Sequence, residues 1–475
     1  APVTFFHFPL YNPYMLRKPR SFRIPLVAIG ILLLGVAVYN IPFVNDKLSW
    51  RVDELRSQIV YFFRPPSEAV FIPSQQSQID RIVTATLLAM RKPSSTPTPQ
   101  ITATLTPVGP TATPTITPTP LPASITLKGV VYVDQLGGYN LCGPSNLTMA
   151  LKFWKWKGTR DDILRIVKPG INDPKLEFFK RGQTDKNVMP YEMVDFVNDN
   201  TDLRSLSRFG GSPDLLKRFI AAGYPMLIEK GEYQRDTKGQ VSWMGHYLFL
   251  TGYNDAAKTF LVQDTLSGAN YIGGGPNFQV PYEKFYNEWR AFNYLFMVVY
   301  PADREEIIQA LLGDWSDPQW ANQNALNIAD QEVKTQTGLD AYFAWFNKGT
   351  SHVQLLQYFD AASAYDQAFS LYSNLPIEKA KYPYRMLWYQ TSPFKAYYYA
   401  GRYLDVINLA NTTLATVSTP TLEESLYWRG MAEQANGDLV SAVADYQLAN
   451  HLNPKMAAVI QALQSVGVAP EIPLK

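Results

Sequence analysis

The chain has 475 residues, too many for one ordinary domain, and 46% of them are hydrophobic, enough to build sizeable cores. Its 43 basic and 41 acidic side chains leave a formal charge of +2, which argues against the concentrated basic face that an extended nucleic-acid footprint needs. The lone cysteine, Cys142, rules out an internal disulfide, and a lone thiol in an exported protein signals reactivity or intermolecular pairing.

The first predicted element is an uncharged run at residues 24–44, "IPLVAIGILLLGVAVYNIPFV". At 1.5 Å per residue it spans about 31 Å, the thickness of a bilayer's hydrocarbon core. Arg17, Lys18, Arg20 and Arg23 precede it, whereas Asp46, Lys47, Arg51, Asp53 and Glu54 follow it with mixed sign. The positive-inside rule places residues 1–23 in the cytoplasm and the remainder outside. A cleaved signal peptide fits less well, because the run exceeds a typical h-region of ~7–15 residues. The expected localisation is the cell membrane, single-pass, with periplasmic or cell-surface C-terminal domains.

Residues 45–92 read as a juxtamembrane helical stalk broken at Arg64-Pro65-Pro66. It suits either a stalk or a docking element for other subunits of a membrane complex. Between residues 93 and 122 the chain holds ten Thr and nine Pro and no charge. Proline fixes φ and removes donors, so residues 93–123 are expected to form an extended spacer that reaches roughly 90 Å.

Residues 124–301 read as an α+β domain with an antiparallel sheet. "ITLKGVVYV" reads as a strand, and "GPSNLTMALKFWKWKG" as a helix opened by Pro144 and closed by Gly158. Helices follow at "MPYEMVDFVND" and "SPDLLKRFIAAG", then strands at "YPMLIEKG", "HYLFLTGYN", "TFLVQDT" and "YLFMVVYP". Beyond residue 301 strand signals stop. After a helical connector at residues 302–340, a 34-residue period fits two stretches of residues 341–475. One copy places Trp345, Gly349, Ala361, Tyr365 and Ala368 in phase, and the other Gly430, Ala442, Tyr446, Ala449 and Pro454. A middle copy is degenerate. This pattern resembles the tetratricopeptide repeat family, which implies an all-α array with a concave surface for a protein partner. An ordinary helical bundle is the alternative.

The candidate chemistry centres on Cys142. Gly143-Pro144 and a helix follow it, so the thiol sits near a helix N-terminus, which favours thiolate. Of four histidines, only His246 shares its domain; His7 lies upstream of the apolar run, and His352 and His451 lie in the repeats. Two antiparallel strands joined by a short turn can set His246 beside Asp264, which would orient the imidazole. Gln135, seven residues before the cysteine, can donate to an oxyanion alongside the Cys142 N–H. Taken singly, Cys142 also suits a packed core thiol, His246 a core histidine and Asp264 an Asx turn. "KFWKWKG" suits the packed face of the helix behind Cys142.

The order Gln, Cys-Gly-Pro, His, Asp, with "GHYLFLTGYN" and "VQDTLSG" in the later strands, resembles the papain-like cysteine peptidases. It is most similar to the branch containing the double-glycine leader peptidases of bacteriocin exporters, cysteine peptidase family thirty-nine and its free-standing relatives. The resemblance implies Cys142 as nucleophile, His246 as general base and acid, Asp264 as orienting carboxylate and Gln135 as oxyanion donor. It implies a peptide or protein substrate and neither metal nor cofactor. No G-x-x-x-x-G-K-[ST] follows, so the exporters' ATP-binding cassette is missing from the pattern. Two other functions fit the same features: a catalytically silent scaffold or accessory subunit of a membrane complex, and a thiol-dependent transferase or amidase.

Overall fold

The computed structural model describes residues 120–137, 140–182, 187–235, 241–266, 274–378, 381–417 and 421–474, together with residues 30, 35, 38, 39 and 71–73. The chain divides into two units, Ala1–Ile59 and Val60–Lys475. In the first, Gly30, Gly35, Val38 and Tyr39 are helical. The rest of the apolar run lies outside the described residues, among which no helix is long and apolar enough to cross a membrane.

Within the second unit, seven strands form one antiparallel sheet: β1 (Ser124–Thr126), β2 (Leu203–Arg208), β3 (Met226–Arg235), β4 (Val241–Asn254), β5 (Thr259–Asp264), β6 (Gly275–Pro281) and β7 (Phe296–Pro301). Their order is β2-β7-β3-β4-β5-β6, with β1 extending the far end of β4. Six helices pack around the sheet: α1 (Cys142–Phe153), α2 (Arg160–Val167), α3 (Phe178–Gly182), α4 (Pro190–Asn200), α5 (Pro213–Ala221) and α6 (Tyr282–Arg290).

Alternation along the strands sends neighbours to opposite faces. Leu227, Tyr247, Phe249, Met297 and Val299 face Leu147 and Leu151 of α1 and Met193 and Phe196 of α4. Ile228, Leu248, Phe296 and Val298 face Leu215 and Phe219 of α5 and Trp289 of α6. Because both faces are covered, the central strand reads as a nearly unbroken apolar run.

Two expectations shift in detail. The strand in "ITLKGVVYV" stops at Thr126. Gly129 then turns the chain at φ +81°, and the following stretch is held by Gln135 N donating to Thr265 O at 3.1 Å. The helix behind the cysteine begins at Cys142 and ends at Phe153, where Lys155 enters the left-handed region at φ +68°, three residues before Gly158. Trp154 packs as expected, its indole N–H donating to Val299 O at 2.7 Å.

After β7 the chain is helical: α7 (Glu305–Leu312), α8 (Pro318–Thr335), α9 (Gly338–Gln354), α10 (Tyr358–Tyr372), α11 (Met386–Tyr389), α12 (Ser392–Tyr399), α13 (Tyr403–Leu414), α14 (Glu423–Ala435), α15 (Leu439–Leu452) and α16 (Ala457–Ser465). In the pair α9/α10, a Cβ on Gly349 would come within 2.7 Å of the Tyr365 ring. In the pair α14/α15, a Cβ on Gly430 would meet Tyr446 at the same distance. The same device therefore closes two helix pairs: a glycine lets a tyrosine ring press against the facing backbone.

The helical region is fused to the sheet region. Trp243 of β4 stacks on Phe292 and lies 5.9 Å from Phe343 of α9. Arg290 Nε meets Glu332 Oε1 at 2.9 Å, and Asn172 N donates to His451 O at 2.8 Å.

Candidate active site

Cys142 opens α1. Asn140, at φ +54°, turns the chain into the helix, and Ser145 N donates to Leu141 O to close its first turn. Pro144 costs no hydrogen bond there, because the first N–H groups of a helix have no intrahelical acceptor. Those unpaired N–H groups and the helix dipole favour an anion at this end. Residues 143–151 are buried, so the helix is rigidly embedded and half-buried Cys142 is fixed at the cleft. The Asn146 amide adds a clamp, donating to Cys142 O at 2.8 Å and to Tyr247 O at 2.9 Å. It ties the start of α1 to the residue next to His246 in β4.

His246, 2% exposed, lies in β4, and Asp264 ends β5. Asp264 pairs in register with Leu248, two residues beyond His246, so both side chains share a sheet face. His246 Nε2 lies 2.8 Å from Asp264 Oδ1. The Leu266 N–H also donates to Oδ1, at 2.9 Å, and the Tyr132 hydroxyl donates to Asp264 O at 2.8 Å. The imidazole and the Cys142 thiol line the same cleft, close enough to shift each other's titration.

The electrostatics follow from this chain of contacts. Burial alone would push the thiol pKa up, but the His246 hydrogen bond and charge, with the Tyr247 and Gly143 N–H groups, bring it below its usual value. Burial alone would push His246 down, yet the Asp264 carboxylate raises it to about 10. Asp264 is itself drawn down against its burial by the imidazolium and by Lys230. The arrangement favours a thiolate–imidazolium pair across a wide pH range.

Gln135 reaches the same cleft. Its Oε1 accepts from Thr265 Oγ1 at 2.8 Å, which leaves the amide N–H groups as the donors it offers the cleft. The cleft is small, about 70 Å³, and its walls include Gln135, Cys142, Val188, Glu229, His246 and Tyr389. The four residues singled out from sequence are therefore brought together. Of the other histidines, His352 bonds Gln357, His451 bonds Glu471, and His7 lies outside the described residues. No cluster of three metal-ligating side chains occurs among the described residues.

Sequence reasoning did not single out three contributors. Asn146, an unremarked member of the predicted helix after Cys142, is fully buried. Glu229, 3% exposed, has its carboxyl pKa pushed well up by burial and by the Cys142 charge. It is held as the neutral acid, and the Tyr247 hydroxyl beside it donates onward to Val188 O at 3.0 Å. A carboxylate inside the apolar run "YPMLIEKG" was the available signal. Tyr389 comes from the helical region: its ring lies against Gly245 and lines the cleft. Asn187, also on the wall, donates to Trp388 O next door.

Comparison with known proteins finds similarity over the same part of the chain. Residues 127–297 match the Peptidase_C39 like family, a similarity that covers the sheet region. Two solved structures are similar to part of the chain. One is described as a C39-like peptidase from Bacillus anthracis: 15% identity, 37% of this chain and 96% of that one, TM-score 0.28. The other is xylellain, a cysteine protease from Xylella fastidiosa: 20% identity, 38% of this chain and 87% of that one, TM-score 0.24. No curated protein matches.

Proposed function

We propose that the sheet region is a cysteine peptidase that hydrolyses peptide bonds by acyl transfer. The observation that carries this reading is the Cys142 thiol, at a helix N-terminus, sharing one cleft with the Gln135 amide and with His246, whose ring is held by Asp264 at 2.8 Å. The Cys142 thiolate attacks the scissile carbonyl carbon, and the carbonyl π electrons move onto oxygen. That oxyanion accepts from the Gln135 amide and the Cys142 N–H. When the tetrahedral centre collapses, the C–N bond breaks and His246 gives its proton to the leaving amine. Water then adds to the thioester, losing a proton to His246, and the C–S bond breaks to return the thiolate. Throughout, Asp264 keeps the imidazole oriented and stabilises its charged form.

In the same proposal, residues 24–44 anchor the chain in the cell membrane with the peptidase outside, and the C-terminal helices act as tetratricopeptide-like repeats that recruit a protein substrate or partner. The uncharged run with its upstream basic residues supports the first part, and the recurring glycine–tyrosine packing the second.

The test is labelling with an iodoacetamide-type probe and turnover of a peptide library. Cys142 should be alkylated at neutral pH in a His246-dependent way, and Cys142→Ala should abolish turnover. A thiol that resists alkylation, or reacts equally in His246→Ala, would sink the mechanism.

A further inference from the structure

A phenylalanine from far upstream is seated inside the helical region. Phe71 is 4% exposed. Its ring meets Phe369 of α10 edge-on at 5.0 Å and lies 5.8 Å from Tyr397 of α12. Residues 71–73 form no helix or strand, and the next residue, Ile72, is 69% exposed. One ring goes in while its neighbour points away, as in an extended peptide held by a single aromatic anchor.

The pocket is built for an apolar guest. Thr412, Thr413 and Thr416 of its wall already donate their hydroxyls to Asn408 O, Leu409 O and Thr413 O, so they present mainly methyl groups. A residual cavity of about 30 Å³ remains beside the ring. The pocket is thus not moulded tightly to Phe71, as an interior packed at crystal density would be.

In sequence, 46 residues that include most of the Thr/Pro stretch separate residue 73 from residue 120. Both ends are held by the same compact unit.

We infer that the helical region carries a peptide-binding site for an extended segment presenting a phenylalanine-type ring, and that residues 71–73 of this chain are its resident ligand. Closing a loop of this length adds little entropic cost, and the tether supplies the ligand at roughly millimolar effective concentration. A competing segment of the same chemistry, concentrated on a partner, displaces Phe71.

This inference does not depend on the peptidase reading, and its test uses no turnover. A fluorescent peptide with the sequence of residues 67–76, "SEAVFIPSQQ", is titrated into the full-length chain and its anisotropy followed. Phe71→Ala should bind it at least tenfold more tightly than the wild type, and a peptide with alanine in place of the phenylalanine should bind neither. Adding Thr412→Trp to Phe71→Ala should abolish binding. If Phe71→Ala is itself destabilised, the peptide should raise its Tm. Equal affinity for wild type and Phe71→Ala, or no peptide-dependent rise in Tm, would overturn the inference. A concentration-dependent wild-type dimer that Phe71→Ala dissolves would also overturn it, because the ring would then come from a second copy.

Discussion

Thr265 Oγ1 donates to Gln135 Oε1 at 2.8 Å, and one residue away Asp264 carries the carboxylate that meets His246. The end of β5 thus holds both the amide donor and the orienting acid. A main-chain bond from Gln135 N to Thr265 O doubles the link.

Gln135→Ala should lower kcat by about 10²–10³ with little change in KM, the loss typical of one oxyanion donor. Thr265→Val keeps the shape and loses the hydroxyl, so it should produce a smaller fall of the same kind. Alkylation of Cys142 should be unaffected in both, since neither group touches the thiol pKa. A parallel loss of alkylation would show that Gln135 maintains the site and does not donate to the oxyanion.

The His246–Asp264 pair sets the pH profile. Cys142 sits below its usual pKa, so alkylation should already be fast at neutral pH and should not decline at high pH. Turnover needs the imidazolium as well. It should rise as pH passes the lowered thiol value and fall as pH passes about 10, where His246 loses its proton. Asp264→Asn removes the charge that holds His246 up, so the descending limb should move to lower pH. In His246→Ala the thiol keeps its burial without its partner, and alkylation at pH 7 should drop at least about tenfold. Stopped-flow alkylation and kcat/KM across the pH range check both limbs.

Burial and the Cys142 charge push the Glu229 carboxyl well up, which favours its neutral form beside the thiolate. Glu229→Gln is then nearly isosteric and isoelectronic with the native state and should leave the alkylation profile in place. Were Glu229 ionised, the same change would remove a repelling charge and speed alkylation at low pH. The rate at pH 5–6 decides.

Legibility from sequence followed scarcity. One cysteine and a single histidine in its domain left few ways to build a nucleophile–base pair, and the turn between β4 and β5 brought Asp264 in. Asn146 and Tyr389 are common residue types whose roles depend on contacts made only after folding; Tyr389 is separated from Cys142 by most of the sheet region and four further helices. Among the elements, the edge strands were hardest to read. β2, "LRSLSR", is polar because it is bounded on one side, and β6, "GPNFQVP", carries two prolines that only an edge strand tolerates. The central strands, buried on both faces, announced themselves.

Asn146 binds two carbonyls from separate elements; the bond to Tyr247 O is buried and that to Cys142 O partly so. Asn146→Ala leaves Cys142 O and Tyr247 O without this donor, at a cost of about 1–3 kcal/mol for buried unsatisfied groups. Urea unfolding should report that loss. The displaced helix start should also slow alkylation, whereas Asn146→Asp replaces a donor by an acceptor and should be worse on both counts. A stable, fully reactive Asn146→Ala would mean that burial of α1 alone positions the thiol.

Tyr389 closes the cleft from the helical region, with its ring against Gly245 and 6.4 Å from Trp243. Truncation to alanine removes a wall from a space of only about 70 Å³. The reagent that senses this is a bulky one. Alkylation by a fluorescein-sized maleimide should accelerate several-fold in Tyr389→Ala, while iodoacetamide, which already fits, should change little. Tyr389→Phe keeps the ring and loses only the hydroxyl, so its ratio of the two rates should stay near that of the wild type. If a global loosening were responsible, both reagents would gain equally and Tm would fall with them. An unchanged ratio in Tyr389→Ala would show that the ring does not gate access. A shifted one would mean that the size of residue accepted beside Cys142 is set partly by a side chain from outside the sheet region, and that the helical region shapes the cleft as well as packing against it.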